Sequence, residues 1–243
     1  DILNVSKTFT LHNQGSALIP VMEGATLSVN PGECVGLIGA SGAGKSTLMR
    51  LIYGNYLAAS GHIMIGGLDL ANAEPREILE LRRKTLGYVS QFLRVVPRVS
   101  TLDVVAEPLL SVGTPVEKAR DRAASLLAQL NIPERLWTLS PTTFSGGEQQ
   151  RVNIARGFAY DYPAMLLDEP TEGLAPTIVE ELSVLLRELL DDGLSLLLVE
   201  QNFTFATNLS KKIHVLGKGR IRWSGSASDL IKDEDITRTW LGV

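Results

Sequence analysis

The sequence has little that would build a disulfide scaffold, a membrane anchor or a nucleic-acid surface. Cys34 is the only cysteine among 243 residues. This excludes an intrachain disulfide and a cysteine-based zinc site, and it predicts a reducing cytoplasm. No apolar run approaches the roughly 20 residues that span a bilayer, so we expect any contact with the inner face of the cell membrane to be made through a partner. The net charge of −4 supplies no basic field, and we expect no nucleic-acid partner.

What the sequence does contain is an alternation of apolar strands with helices. Its content of 44% hydrophobic and 21% charged residues is ordinary for a globular protein with a sizeable core. The N-terminal part reads as short strands. Strand signals lie at Glu23–Val29, Gly32–Gly39, HIMIG, LGYVS, Ala164–Asp168 and Leu194–Val199. Between the last two runs, Pro176 suits a first helical residue and Gly193 a terminator. Because the strands are apolar and alternate with helices, we predict an α/β fold with a buried, mostly parallel sheet.

One long segment departs from this alternation. From about Thr101 to Ile132 apolar residues recur at helical spacing and strand signals are absent. We interpret the segment as a helical insertion within the α/β frame.

The stretch GASGAGKST, 39–47, matches the phosphate-loop pattern G-x-x-x-x-G-K-[ST] between an apolar strand and a helix. Glycines in such a loop permit tight turns, so that backbone N–H groups and the helix N-terminus surround phosphates. Lys45 is expected to neutralise the β- and γ-phosphates, and the Ser46 hydroxyl to bind Mg²⁺. The flanking strand and helix argue against a chance glycine-rich turn.

A second element, AMLLDEP, delivers two carboxylates to the end of a strand. Asp168 is expected to hold Mg²⁺ through water, and Glu169 to orient and deprotonate an attacking water. On its own the segment fits an acidic turn before Pro170 equally well. Its place in a chain with a phosphate loop favours the catalytic interpretation.

The third element is FSGGEQQR, where Ser145 and two glycines precede a helix expected to run to about Ala159. A helix start of this kind offers free N–H groups and a positive dipole end to an anion. By itself it also fits a plain capped loop. A chain with two such anion sites suggests two subunits arranged head to tail, each completing the site of the other.

Together, GASGAGKST, SQF, FSGGEQQR and LLDEP, in that order, resemble the nucleotide-binding subunit of ATP-binding cassette (ABC) proteins over essentially the whole chain. The resemblance implies a P-loop NTPase that hydrolyses ATP with Mg²⁺ and forms a homo- or heterodimer with a second ABC subunit. It further implies that Gln91 senses Mg²⁺ and that an aromatic residue stacks on adenine. Phe9 is the candidate for that role, although a core residue of an edge strand fits it as well. The nucleotide-binding residues implied are Phe9, Gly39, Ser41, Gly42, Ala43, Gly44, Lys45, Ser46, Thr47, Ser145, Gly146 and Gly147.

The same resemblance predicts the layout of the chain. Residues 1–243 form one nucleotide-binding domain. Within it, 1–91 and 160–243 form a RecA-like core with an N-terminal antiparallel β-subdomain. Residues 92–159 form the helical subdomain that carries the FSGGEQQR segment.

Two positions depart from the family pattern. Ala175 stands where the family usually has an aspartate, and Gln201 stands where it usually has a histidine that touches the γ-phosphate. His12, His62 and His214 lie at no comparable strand end, and we expect them to be surface or packed residues. The Gln201 amide can still donate a hydrogen bond to the γ-phosphate, although it cannot take up a proton. We therefore expect an active ATPase in which Lys45, Glu169 and Gln201 are catalytic.

Two parts of the chain resemble different cassette systems. About the first 170 residues, including VSQFLRVVPRVSTLDVV, resemble a cassette subunit of the bacterial phosphonate carbon–phosphorus lyase system. By contrast, EPTEGLAPTIVEEL, LLLVEQNF and WLGV resemble ATPases of branched-chain amino acid and urea importers. In this family the partner docks beside Gln91, where Arg94 and Arg98 meet an acidic surface or are simply solvated. The expected partner is a soluble carbon–phosphorus lyase complex, and the alternative is a membrane permease. A slowly hydrolysing, ATP-clamped scaffold is the third interpretation.

Overall fold

The computed structural model describes residues 1–11, 17–94 and 97–242. His12 lies outside them. The strands are β1 (Ile2–Leu11), β2 (Ala17–Leu27), β3 (Cys34–Ile38), β4 (Ser60–Ile65), β5 (Leu68–Asp69), β6 (Leu86–Val89), β7 (Ala164–Asp168), β8 (Ser195–Glu200), β9 (Lys212–Gly217) and β10 (Arg220–Ser226).

The α-helices are α1 (Lys45–Ile52), α2 (Pro75–Lys84), α3 (Thr101–Ser111), α4 (Val116–Gln129), α5 (Gly146–Gly157), α6 (Pro176–Asp191), α7 (Phe203–Leu209), α8 (Ala227–Lys232) and α9 (Glu234–Ile236). Short 3₁₀ turns span Glu134–Leu136 and Pro141–Thr143, and a π-helical turn spans Thr237–Leu241. Among the helices of these residues, none combines the length and the apolarity that a membrane crossing requires.

Two sheets organise the described residues. The larger has the order β10-β9-β3-β8-β7-β6, and its strands run parallel except β10. The smaller, antiparallel sheet has the order β2-β1-β4-β5. The predicted α/β class, with a mostly parallel sheet and an N-terminal antiparallel sheet, is confirmed.

Both faces of the parallel sheet are buried. In β8, Leu196 and Leu198 pack into the cluster shared with α3, α4 and α5, whereas Leu197 and Val199 pack toward α1. Alternate residues of a strand point to opposite faces, so a strand covered on both sides reads as an unbroken apolar run. The carboxyl ends of β3, β6, β7 and β8 therefore lie along one edge, where open α/β sheets bind their ligands.

The helices α3 and α4 fall within Thr101–Ile132, the segment predicted to be helical, and α5 is the helix predicted to follow Ser145. The division of the chain at residues 91 and 160 stays a prediction. The prediction of short N-terminal strands is wrong for the first two. β1 has 10 residues and β2 has 11. Their pairing contains three register shifts, and it continues on both sides of them.

Candidate functional site

The phosphate loop, residues 39–47, connects β3 to α1. Gly44 adopts φ 107°, a left-handed conformation that favours glycine, and α1 begins at the next residue. A Cβ on Gly39 would lie 2.2 Å from the Leu216 carbonyl oxygen, so the loop packs closely against β9. Ser41 and Gly42 are exposed, Ala43 is buried, and Ser46 and Thr47 are half-buried. The loop therefore presents its tip and the start of α1 to a ligand.

Lys45 is the buried cation of this loop, with 4% of its surface exposed. Its Nζ donates to the Gly39 carbonyl at 2.6 Å and the Ala40 carbonyl at 3.2 Å. It also lies 3.4 Å from Oε1 of Glu169. These contacts hold the ammonium over the loop, where it can exchange a carboxylate for a phosphate.

Asp168 ends β7, and its carboxylate is buried. Oδ2 accepts a hydrogen bond from the Tyr88 hydroxyl at 3.1 Å, while Oδ1 is buried without a partner. Burial raises the pKa of this carboxyl group, which the Tyr88 hydrogen bond only partly opposes. An unpartnered buried carboxylate oxygen is suited to binding a cation or its water.

Glu169 has polar partners on several sides. Its Oε1 accepts from Gln201 Nε2 at 2.8 Å, and its Oε2 faces Gln91 Nε2 at 3.3 Å. Its backbone has φ 52°, and its N–H donates to the Val199 carbonyl of β8 at 2.8 Å. A non-glycine residue in this region is uncommon and persists where its surroundings hold it. The structure therefore brings Lys45, Glu169 and Gln201 together, with Gln201 on the carboxylate that sequence analysis selected as the base.

Gln91 joins this cluster to the helical segment. Its Nε2 also donates to Glu172 Oε2 at 2.6 Å, in the loop after Glu169. The neighbouring Ser90 carbonyl accepts from Asn153 of α5 at 2.5 Å. Two adjacent residues, Ser90 and Gln91, therefore connect α5 to the carboxylates of Glu169 and Glu172.

The signature turn, residues 145–147, begins α5. Ser145 Oγ accepts from the Glu148 N–H at 3.4 Å and donates to Glu148 Oε2 at 2.7 Å, and the Ser145 N–H donates to the same oxygen at 2.9 Å. This is a capping box. Ser145 and Gly146 are exposed, and a Cβ on Gly146 would meet nothing within 4 Å. In the part of the chain described, no hydrogen bond joins this turn to the phosphate loop. The turn is therefore open to solvent at Ser145 and Gly146, whereas a Cβ on Gly147 would lie 3.1 Å from the Gly173 carbonyl oxygen.

Four other residues with predicted roles lie outside this cluster. Phe9 is half-buried and packs edge-on against Tyr56, with ring centroids 5.3 Å apart. Ala175 is exposed and caps α6 without a side-chain hydrogen bond. Arg94 and Arg98 are exposed. Their functional roles stay predictions.

Glu200 is the buried charged group to which sequence analysis gave no role. It is 2% exposed and accepts hydrogen bonds from Thr171, Gln201 and Asn202. The sequence did contain a signal for such a role, because Glu200 directly follows the apolar residues of LLLVEQNF. A charged side chain at the end of a buried strand needs polar partners.

A cleft of about 830 Å³ runs from Ser46 and Asp168 past Gln91 to the helical segment. Its lining is rich in arginine and tyrosine although the chain carries a net negative charge. The arginines that line it are Arg50, Arg82, Arg83, Arg94 and Arg156. Glu107 pairs with Arg156 at 2.9 Å and is the acidic residue of the lining besides Asp168. The cleft is therefore predominantly basic.

The ABC transporter family model matches residues 22–172. The lipoprotein-releasing system ATP-binding protein LolD 1 of Rhodospirillum rubrum is 37% identical over 221 residues, covering 90% of this chain and 96% of that protein. The L-cystine transport system ATP-binding protein TcyN of Escherichia coli is 33% identical over 244 residues, covering 98% and 94%.

Among solved structures, the dimeric post-hydrolysis state of the ATP-binding cassette MJ0796 bound to ADP and Pi has a TM-score of 0.87. It is 29% identical, and the match covers 93% of this chain and 97% of that one. With the phosphate loop, the paired carboxylates and the signature turn in one fold, the chain belongs to the ABC transporter family and is an ATPase of that family.

Proposed function

We propose that this ATPase cleaves Mg-ATP at a site shared between two head-to-tail subunits, with Glu169 as the general base. The observation that carries the proposal is the buried Glu169 carboxylate, held by Lys45, Gln201 and Gln91 beside the phosphate loop. A base held in position is typically worth about 10²–10⁴ in rate.

The residues at the strand ends suit a nucleotide with its metal. The described residues hold no cluster of three or more His, Cys, Asp or Glu suited to a metal by itself. Mg²⁺ typically binds through one or two protein oxygens together with substrate phosphates. The Ser46 hydroxyl, the unpartnered Asp168 Oδ1 and the Gln91 amide oxygen would hold it. When bound, Mg²⁺ neutralises charge that develops on the phosphates.

Lys45 and Glu169 exchange partners when nucleotide enters. Without nucleotide, the Lys45 ammonium lies against two loop carbonyls and Glu169. A triphosphate draws the ammonium to its own oxygens, which leaves the Glu169 carboxylate to accept a proton from water. One N–H of Gln201 Nε2 still donates to Glu169 Oε1, and the second N–H can donate to the γ-phosphate.

The second half of the site comes from the other subunit, of the same or a different kind. Ser145 and Gly146 present the N-terminus of a helix to open space, with Gly147 directly behind them. Such a start binds anions through free N–H groups and the helix dipole. The dimeric MJ0796 structure, which contains ADP and Pi, supports this arrangement.

We propose that hydrolysis drives a conformational change in a membrane permease that docks in the basic cleft. The cleft touches both Ser46 and Gln91, so a partner seated there lies close to the reacting phosphates. Relatives named for lipoprotein release and cystine transport support a transport role. The subunit would then work in the cytoplasm at the inner face of the membrane.

The carbon–phosphorus lyase complex is the second candidate partner. Its support is the resemblance of about the first 170 residues, which include the Gln91 segment and the arginines Arg94 and Arg98. The relatives named above carry names from other systems. A pull-down with tagged protein distinguishes the two, because a permease fractionates with membranes and a lyase complex does not.

Turnover tests the catalytic proposal directly. We expect the wild type to hydrolyse Mg-ATP, E169Q to lose about 10²–10⁴ of the rate while still binding ATP, and Q201A to be slower by about tenfold or more. Wild-type rates in both variants would refute the assignment. A wild type that binds ATP without turnover would identify the ATP-clamped scaffold instead.

A further inference from the structure

Glu200 is the last residue of β8, which lies between β3 and β7 in the centre of the sheet. Its side chain is buried, and burial raises the pKa of the carboxyl group in spite of its hydrogen bonds. Burying a carboxylate is costly unless hydrogen bonds satisfy it. A hydrophobic residue would suit this strand better, so the carboxylate calls for a role other than packing.

The two oxygens of Glu200 bind different segments. Oε1 accepts from the Thr171 N–H at 3.0 Å and the Thr171 hydroxyl at 2.7 Å. Oε2 accepts from the N–H groups of Gln201 at 3.0 Å and Asn202 at 3.1 Å. One carboxylate thus connects the loop after β7 to the end of β8.

Both segments determine where Glu169 stands. Thr171 follows Glu169 by two residues, and the Glu169 backbone is left-handed with φ 52°. Gln201 donates its side-chain N–H to Glu169 Oε1 at 2.8 Å. An uncommon backbone conformation needs neighbours that over-determine it. Glu200 is the side chain that bonds to both neighbours.

We propose that Glu200 is a positioning residue for hydrolysis, which fixes the Glu169 carboxylate from two sides by binding Thr171 and the backbone of Gln201. It makes no contact with the reacting atoms and acts through Glu169. The inference rests on the proposed role of Glu169 as the base.

Glutamine cannot replace this carboxylate. Three of the four groups around it are backbone N–H donors, so the amide nitrogen of a glutamine would face at least one other donor in either orientation. The adjacent segments would shift, and a misplacement of about 1 Å in a catalytic constellation can cost about 10² in rate. We expect E200Q to lower kcat by about tenfold to a hundredfold, while the Kd for Mg-ATP changes by less than about twofold.

The experiment compares E200Q with H214Q. His214 is also buried, lies two strands away in β9 of the same sheet and bonds to Ser224. Tm, kcat, KM and the Kd for Mg-ATP are measured for each. We expect both variants to lose stability, and kcat per folded molecule to fall only in E200Q. If E200Q fails to fold, T171V removes the hydroxyl donor alone and should lower kcat by a smaller factor.

A double variant supplies the readout that a purely structural role would not change. If Glu200 acts partly through Gln201, E200Q should cost less in the Q201A background than in the wild type. E200Q with kcat within twofold of the wild type, or with full multiplicative loss beside Q201A, overturns the inference. A wild type without turnover, or E169Q at the wild-type rate, overturns the proposed base itself.

Discussion

Two helix starts in this chain are predicted to bind anions, and they differ in how closely each is packed by its own chain. At the phosphate loop, the cation Lys45 is buried, its neighbours are packed against β9, and the acidic partners stand beside it. At the signature turn, Ser145 and Gly146 are exposed, and the turn is capped by its own Glu148. The first is held by packing within its own chain, whereas the second lies on the surface.

Under the proposed shared site, the difference indicates which surface of this chain would meet the other subunit. A loop with little room for a side chain on Gly39 has its shape fixed by intrachain packing. The turn at Gly146 has open space above it and is held by its capping box, so its exposed side has room for a ligand. Variants of the phosphate loop should therefore affect folding and nucleotide binding, whereas variants of the signature turn should affect the assembly of the two subunits.

The largest effect is expected for G39A. Its Cβ would lie 2.2 Å from a backbone oxygen that cannot move aside cheaply. We expect a loss of about 2–4 kcal/mol in the free energy of unfolding, with Mg-ATP binding lost, measured by thermal denaturation and calorimetry. The matched control is G146A, where the added Cβ meets nothing within 4 Å and Tm should not fall. Equal stability losses in both variants would contradict the difference between a closely packed phosphate loop and an open signature turn.

The next largest effect is expected for G146D. An aspartate in the first turn of α5 suits the helix dipole, so the fold and Mg-ATP binding at the phosphate loop should remain. The same carboxylate would repel phosphates held by a facing subunit, and we expect turnover to fall by about 10² or more. Steady-state kinetics and the Kd for Mg-ATP measure the two effects. A parallel loss of ATP binding would show that the turn serves its own chain.

A smaller effect, of opposite sign, is expected for D168N. Burial raises the folded pKa of Asp168 above its ordinary value of 3.8, so its charged form costs stability at neutral pH. Removing the charge should raise Tm at pH 7 by about 2–4 °C in a domain of this size, while Mg²⁺-dependent ATP binding weakens. The gain should shrink as the pH falls through the raised folded pKa and vanish below the unfolded value of 3.8, where Asp168 is protonated in both states. A lower Tm at pH 7 would contradict this.

The smallest effect is expected for E148A at the signature turn. The hydrogen bonds from Ser145 lower the pKa of Glu148, so its stabilising contribution is present above the unfolded pKa and is lost as pH falls through the folded value. We expect a loss of about 0.5–1 kcal/mol at pH 7, measured by urea denaturation. The loss should shrink at acidic pH. A loss of stability in E148A as large as that in G39A would contradict the difference between a loop fixed by packing and a turn held by a cap.

The sequence was informative where one local pattern carries the structure. GASGAGKST lies between β3 and α1 as predicted, and AMLLD forms β7 with Asp168 at its end. Predictions failed or were missing where distant segments meet. Gln201 reaches Glu169 only because β7 and β8 pair in parallel, and Glu200 reaches Thr171 for the same reason. Nothing was predicted for β9 and β10, whose environment includes Trp240 packed over Gly217.

An ATP-dependent cross-link between copies tests the central claim most directly. Cys34 is buried, and burial raises its pKa to about 11, so it should stay unreactive. In the E169Q background, one preparation carries S41C on the phosphate loop and another carries S145C on the signature turn. We predict that mixing them gives a disulfide-linked dimer with Mg-ATP and little without it. No cross-link with saturating Mg-ATP, or an equal yield without nucleotide, would contradict the shared site.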